Sequence, residues 1–260
     1  MTSYTRFIAL GDSFTEGMQD YVVDGQYRGW ADRVADTLAK DNPDFTYMNL
    51  AIRGKLLKQV VEDQIPLALK HIEGKQTLVS FHAGANDVLR PNYKPEVSLP
   101  EYERGIKQLT DAGATVIIFT VVDKVEGKGK TAKLWHQRFS AFNENIRNVA
   151  SKYPTILFEG KKAEFLNDRR FLAFDRLHMN SEGHRRLANA VLEGLGFAFD
   201  PNWKVPPPPQ GEVGRFKKYL INLAWIAVFL LPWIWRRIRG KSSGDGRSAK
   251  YSEPINWSAR

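Results

Sequence analysis

The chain has 260 residues, 43% of them hydrophobic, so it is long enough for one α/β domain with an extension and too apolar to be wholly disordered. It contains no cysteine, which excludes disulfides, thiolate metal sites and a cysteine nucleophile. The net charge of +9 sits at one end, with 11 Lys/Arg against 3 Asp/Glu from Lys204 onward and 27 against 26 before it. The bulk of the chain is nearly neutral, and a basic tail of this kind seeks a polyanionic surface.

The first residues, Met1-Thr2-Ser3-Tyr4-Thr5-Arg6, lack the apolar run and small-residue cleavage site of a secretory signal, so a cytoplasmic, non-secreted protein is expected. Phe7-Ile8-Ala9-Leu10 reads as a first strand ending at Gly11, followed by a helical pattern from Gly29 to Lys40. A second strand covers Phe45 to Leu50. Leu56 to His71 is helical in period, with Pro66 expected to end or kink it. Thr77 to Phe81 is a third strand, and Pro100 to Ala112 a helix with Pro100 in its first turn and Gly113 as its stop.

Thr115 to Thr120 is β-branched and apolar on both faces, the pattern of a buried parallel strand. Trp135 to Lys152 reads as a long helix, Thr155 to Phe158 as a fifth strand, and Ser181 to Leu195 as a helix with Ser181 as N-cap and Gly196 as stop. Five strands alternating with helices imply a parallel sheet covered on both faces, with the active site beyond the carboxyl ends of its strands.

Four segments then stand at places where chemistry could assemble. Gly11-Asp12-Ser13 follows the first strand, and a serine there can present its hydroxyl above the sheet edge. Asp175-Arg176-Leu177-His178 precedes the last helix. A serine needs a neighbouring base, imidazole suits that role, and Asp175 can fix the tautomer of His178. Gly54, after the second strand, has a sterically open amide, and Asn86, after the third, carries a side-chain amide; both are candidate donors to a developing oxyanion. Taken singly, each of these is as well explained by turn and capping chemistry. His184 reads as a satisfied core residue, and His71, His82 and His136 have no evident partner.

Together, Gly-Asp-Ser, the Gly after strand two, Gly84-Ala85-Asn86-Asp87 and the Asp-x-x-His block resemble the SGNH (GDSL-type) hydrolase superfamily over residues 6–197. The resemblance implies a flavodoxin-like three-layer α/β/α sandwich with a five-stranded parallel sheet in the order 2-1-3-4-5. It also implies carboxylic ester hydrolysis through an acyl-enzyme, with Ser13 as nucleophile, His178 as base and Asp175 orienting it. Ser13, Gly54 and Asn86 would form the oxyanion hole, with Asp12 and Asp87 in support. No metal or cofactor is called for, and the substrate would be a small-molecule, lipid or sugar ester. The alternatives are a non-catalytic module of the same fold tethered by its tail, and a nucleotide-binding flavodoxin-like protein, for which a Gly-x-Gly-x-x-Gly fingerprint is missing.

Asp123 to Lys133 is a Gly- and Lys-rich segment expected at the rim, read either as a solvated loop or as a basic loop favouring anionic substrates. The hydrolase domain is expected to occupy residues 1–202, followed by a Pro-rich basic linker at 203–218, an apolar Trp-rich helix at 219–241 and a flexible polar tail at 242–260. The apolar run Tyr219 to Trp235 lies between basic clusters, with Trp225, Trp233 and Trp235 suited to a membrane interface. It could pack on the domain, lie on an anionic membrane surface or span a bilayer. The segment from Leu231 to Arg247 also resembles the C-terminal extension of actinobacterial SGNH hydrolases, which weighs against spanning. No specific nucleic-acid binding is expected.

Overall fold

The apolar runs of the sequence pair side by side into one sheet: β1 (Arg6–Gly11), β2 (Thr46–Asn49), β3 (Thr77–His82), β4 (Thr115–Phe119), β5 (Thr155–Phe158) and β6 (Tyr251–Asn256). The computed structural model describes residues 3–121, 129–160, 168–209, 211 and 213–258. The strand order is 5-4-3-1-2-6, with the first five strands parallel and β6 antiparallel to β2. The expected order 2-1-3-4-5 is therefore present, and the sheet has one strand more than the five expected.

The helices are α1 (Ser13–Glu16), α2 (Gly29–Ala39), α3 (residues 57–69), α4 (Ala85–Val88), α5 (Pro95–Asp111), α6 (Lys130–Lys152), α7 (Ser181–Leu195) and α8 (residues 215–238). Strand β1 shows how the sheet supports two cores. Phe7 and Ala9 face α2 and α7, meeting Trp30, Val34, Leu187 and Val191. Ile8 and Leu10 face α3, α5 and α6, meeting Val60, Ile106 and Phe142. Both faces are buried, which is why these strands read as unbroken apolar runs. Burying one such side chain contributes on the order of 1.5–3 kcal/mol, so the sheet rather than helix propensity anchors the helices.

Several boundaries differ from expectation for identifiable reasons. Helix α5 begins at Pro95, and this proline rather than Pro100 takes the first turn, where a missing N–H costs nothing. Pro66 does not end α3; a wider π-turn at Val60–Gln64 immediately precedes it and accommodates the lost i→i−4 bond. Asn180, not Ser181, caps α7, its side-chain oxygen accepting from the Gly183 amide.

The largest departure is at the C-terminus. The hydrolase body does not end at residue 202: Trp203 is buried, its indole N–H donates to Glu193, and its carbonyl accepts from Arg186. Nor is 242–258 a flexible tail. Residues 251–256 form β6, where Pro254 is tolerated because the strand is an edge. Trp257 donates from its backbone N–H to Phe45 and from its indole to Asp36. Lys250 enters the body fully. Its ammonium donates to both Asp32 oxygens at 2.8 and 2.9 Å and to the carbonyls of Tyr27 and Arg28. Tyr47 donates to the same carboxylate. Burial pushes the Lys250 ammonium down and the Asp32 carboxyl up, so each charge is tolerable because the other is present.

Lys250→Met should therefore leave Asp32 buried and unpaired, and cost about 3–5 kcal/mol in urea unfolding. The double variant Asp32→Asn/Lys250→Met should recover much of that loss.

Candidate active site

Strand β1 ends at Gly11, whose φ of +143° and contact with the His82 carbonyl leave no room for a Cβ, which would lie 2.2 Å from that oxygen. The Gln64 side chain clamps Gly11 from the side, accepting from its N–H at 2.8 Å and donating to its carbonyl at 2.9 Å. Asp12 caps the single turn α1, accepting from the Phe14 N–H at 3.1 Å. Ser13 is thereby held at the carboxyl edge of the sheet.

His178 arrives from the other end of the chain. The loop before α7 is closed by an antiparallel bridge between Leu172 and Met179 and by the Ala173 N–H to His178 carbonyl bond of 2.8 Å. Within it, His178 Nε2 lies 2.9 Å from Ser13 Oγ, and His178 Nδ1 lies 2.8 Å from Asp175 Oδ2. Asp175 Oδ1 accepts from the amides of Leu177 and His178, each at 3.0 Å. Burial alone would raise the Asp175 carboxyl, but the His178 ring and these two amides outweigh it and hold it below the usual carboxylate range. Between the two acts Arg176, at a φ of +59°, the left-handed backbone that lets the turn fold back on itself. Ser13, Asp175 and His178 thus form one hydrogen-bonded array.

The remaining expected residues are placed less uniformly. Asn86, on α4, lines the same cavity as Ser13 and His178. Its amide donates to Asp12 Oδ2 at 3.0 Å and to the Lys55 carbonyl at 3.1 Å. Asp12 is buried and ties α1 to Asn86. Asp87 accepts from the Leu57 N–H at 2.8 Å, tying α4 to α3. Burial pushes the Asp87 carboxyl up to about 6, against the pull of the Leu57 amide and with the Asp12 carboxylate adding to the rise. Gly54, at a φ of +75°, is not among the residues lining the cavity; its carbonyl accepts from the Ser242 hydroxyl at 3.2 Å.

Two supports lie outside the sequence reading. Glu16, one turn beyond Ser13, accepts from both the backbone N–H and the guanidinium of Arg53, fixing the loop that carries Gly54. Both loops follow adjacent strands, β1 and β2, so their meeting was implicit in the sheet order. Trp225 of α8 donates from its indole to the Asp175 carbonyl at 3.0 Å, a contact for which local sequence holds no signal. Among the histidines, His184 is a core residue, its Nε2 3.2 Å from the Met18 carbonyl, and burial drives it down to about 4. His82 stacks on Phe14, and His71 lies 3.4 Å from Glu253 of β6. Of the basic segment 123–133, residues 123–128 lie outside the described residues, and Lys130 and Lys133 stand on the first turn of α6.

The array opens into a cavity of about 870 Å³. Its walls are largely apolar and include Phe14, Leu89, Phe119, Phe139, Phe158 and Trp225. Among the described residues no cluster of His, Asp or Glu is placed to hold a metal ion.

A doubly covered parallel sheet with a Ser-His-Asp array at its carboxyl edge defines a class of hydrolases built on a flavodoxin-like core. The chain belongs to the GDSL-like lipase/acylhydrolase family, whose model matches residues 9–186, and it is accordingly a hydrolase acting on esters. The fold is similar to that of Axe2, an acetylxylan esterase from Geobacillus stearothermophilus, at 20% identity and a TM-score of 0.57, covering 77% of this chain and 100% of that one. It also resembles a putative GDSL-like lipase from Parabacteroides merdae, at 19% identity and a TM-score of 0.58, covering 74% and 95%. A third likeness is the esterase EstA from Pseudoalteromonas sp., at 16% identity and a TM-score of 0.54, covering 74% and 97%. At these identities the likeness extends to the fold alone. No curated protein matches the sequence.

The raised Asp87 carboxyl carries a stability consequence. It gains a proton in the folded state near pH 6, above its unfolded value, so its contribution is lost as pH rises through about 6. Asp87→Asn, which keeps an acceptor for Leu57, should be the more stable protein at pH 7 by roughly 1–3 kcal/mol. That advantage should shrink below pH 6 in urea titrations.

Proposed function

We propose that the chain cleaves carboxylic esters through a covalent acyl-enzyme on Ser13. The observation that carries this reading is the 2.9 Å approach of His178 Nε2 to Ser13 Oγ, between residues 165 positions apart. Ser13 Oγ attacks the ester carbonyl carbon while its proton passes to His178 Nε2. Asp175 accepts from Nδ1–H throughout, holding the tautomer that leaves Nε2 free to take the proton.

The tetrahedral oxygen is met by the Ser13 amide and by an Asn86 N–H drawn from its resting bond to Asp12, while Gly54, expected as a further donor, stands outside the cavity. One such donor is worth roughly 3–4 kcal/mol of barrier. Collapse expels the alkoxide, which takes the proton from His178. Water then repeats the sequence on the acyl-enzyme: its proton passes to His178, the bond to Ser13 Oγ breaks to release the acid, and Ser13 Oγ takes the proton back from His178. Family membership and the intact array together support catalysis over a binding module that merely retains the fold.

Ser13→Ala should abolish turnover of a nitrophenyl ester while leaving the urea midpoint within experimental scatter. Asp175→Asn should lower kcat by roughly 10⁴-fold with little change in KM. Undiminished hydrolysis by Ser13→Ala would remove this mechanism.

A further inference from the structure

Among the described residues, helix α8 is a long element with no fully buried residue. Its half-buried stripe, Asn222, Trp225, Phe229 and Trp233, faces the body. Much of its remaining surface is apolar and exposed, with Phe216 at 75%, Val228 at 69% and Ile238 at 72%. The stretch Arg215–Arg236 is long and apolar enough to cross a membrane by length and composition, and none of it is buried in the fold. Cations stand at both ends: Arg215, Lys217 and Lys218 in its first turn, Arg236 at its end, and Arg239 and Lys241 just beyond.

Both ends of this helix are fastened to the same domain. Before it, Trp203 is buried against α7. After it, Ser242 bonds to Gly54 and Lys250 to Asp32. Midway, Asn222 accepts from Arg176 at 2.6 Å, and Trp225 donates to Asp175 while lying under the Arg176 guanidinium. The four residues from Ile238 to Ser242 reach at most roughly 14 Å, against a hydrocarbon core of roughly 30 Å. A crossing helix would thus need the linker 204–214, with four consecutive prolines, to return through lipid as irregular backbone, which a bilayer does not admit.

We propose that α8 is an in-plane docking surface for an anionic lipid bilayer. A helix parallel to the membrane sets its terminal lysines and arginines at headgroup depth and presses the exposed apolar middle into the acyl boundary. Tyr219 and Trp235, both exposed, suit that interface. Lys250 is paired with Asp32 and Lys204 with Glu193, but the cations at the two ends of the helix remain to select an anionic leaflet over a neutral one. Because Trp225 lines the cavity from the body-facing side of the same helix, docking sets the apolar cavity directly behind the lipid-facing surface. Resting on the function proposed above, the ester cleaved is then a membrane-resident acyl ester.

The test is co-sedimentation of the full chain with vesicles of phosphatidylcholine alone and of phosphatidylcholine with phosphatidylglycerol. The protein should pellet with the anionic vesicles, partly release at high salt, and wash off fully in alkaline carbonate. Val228→Glu/Leu231→Glu should lower partitioning by about tenfold or more. Lys217→Ala and Lys218→Ala should lower it by about fivefold each. All of these variants should hydrolyse a soluble short-chain ester at the parent rate, which shows that they are folded. Ser13→Ala should bind vesicles as the parent does, so a failure of the catalytic reading leaves the docking result legible. Equal recovery with and without anionic lipid would overturn the proposal. So would retention in carbonate, which marks a spanning helix, or a lipid-free dimer that ignores vesicles, which marks a second copy as the occupant.

Discussion

Ser13 and His178 meet because one parallel sheet delivers both to the same edge, and the rest of the molecule is arranged around keeping that edge in register. A serine hydroxyl is a poor nucleophile alone, and an imidazole 165 residues away is useless to it unless the intervening chain folds back within hydrogen-bond reach. Successive parallel strands with helical crossovers return every β-to-α loop to one side of the sheet. Gly11, clamped by Gln64 and pressed on the His82 carbonyl, fixes the serine. The bridge Leu172–Met179 and the left-handed Arg176 fix the histidine. These are backbone constraints, and they hold the catalytic groups to a geometry that side-chain packing alone would leave loose.

The C-terminal segment is sewn into that same edge. Lys250 fills a charged socket formed by Asp32 and two carbonyls, and β6 completes the sheet beside β2. On the way there, the chain touches the catalytic loop once and the loop after β2 once. Trp225 holds the Asp175 loop, and Ser242 sits on Gly54 closely enough that a Cβ at Gly54 would lie 2.1 Å from its hydroxyl. The extension is therefore part of the active-site architecture. A buried ion pair of this kind is a modest source of stability, but it specifies one docking position for the tail.

Much of this was legible in the sequence because the parallel sheet announces itself. Strands buried on both faces read as apolar runs, as in Val116-Ile117-Ile118, and their alternation with amphipathic helices implied a covered parallel sheet, while the order of the first five came with the family resemblance. The four motif blocks likewise named Ser13, Asn86 and His178, which line one cavity, and Asp175, which bonds to His178 behind it, whereas Gly54, named by the same blocks, lies outside the cavity. What escaped was non-local and weakly patterned. Tyr251-Ser252-Glu253-Pro254-Ile255-Asn256 is polar, contains a proline and pairs on one side only, so nothing in its composition separates an edge strand from a loop. Lys250 looks like any tail lysine until the chain reversal that places it beside Asp32 is known. Glu16 and Arg53 are ordinary charged residues whose pairing follows from strand adjacency and not from spacing.

Catalysis by this array requires Ser13 to be the group that bonds to the acyl carbon. Intact-mass and peptide mass spectrometry after treatment with a fluorophosphonate gives the clearest measurement. One adduct per chain, on the peptide containing Ser13 and lost in His178→Ala, is the result this structure predicts. A reagent that inactivates the enzyme while modifying a different residue, or esterase turnover that survives full modification of Ser13, would contradict it.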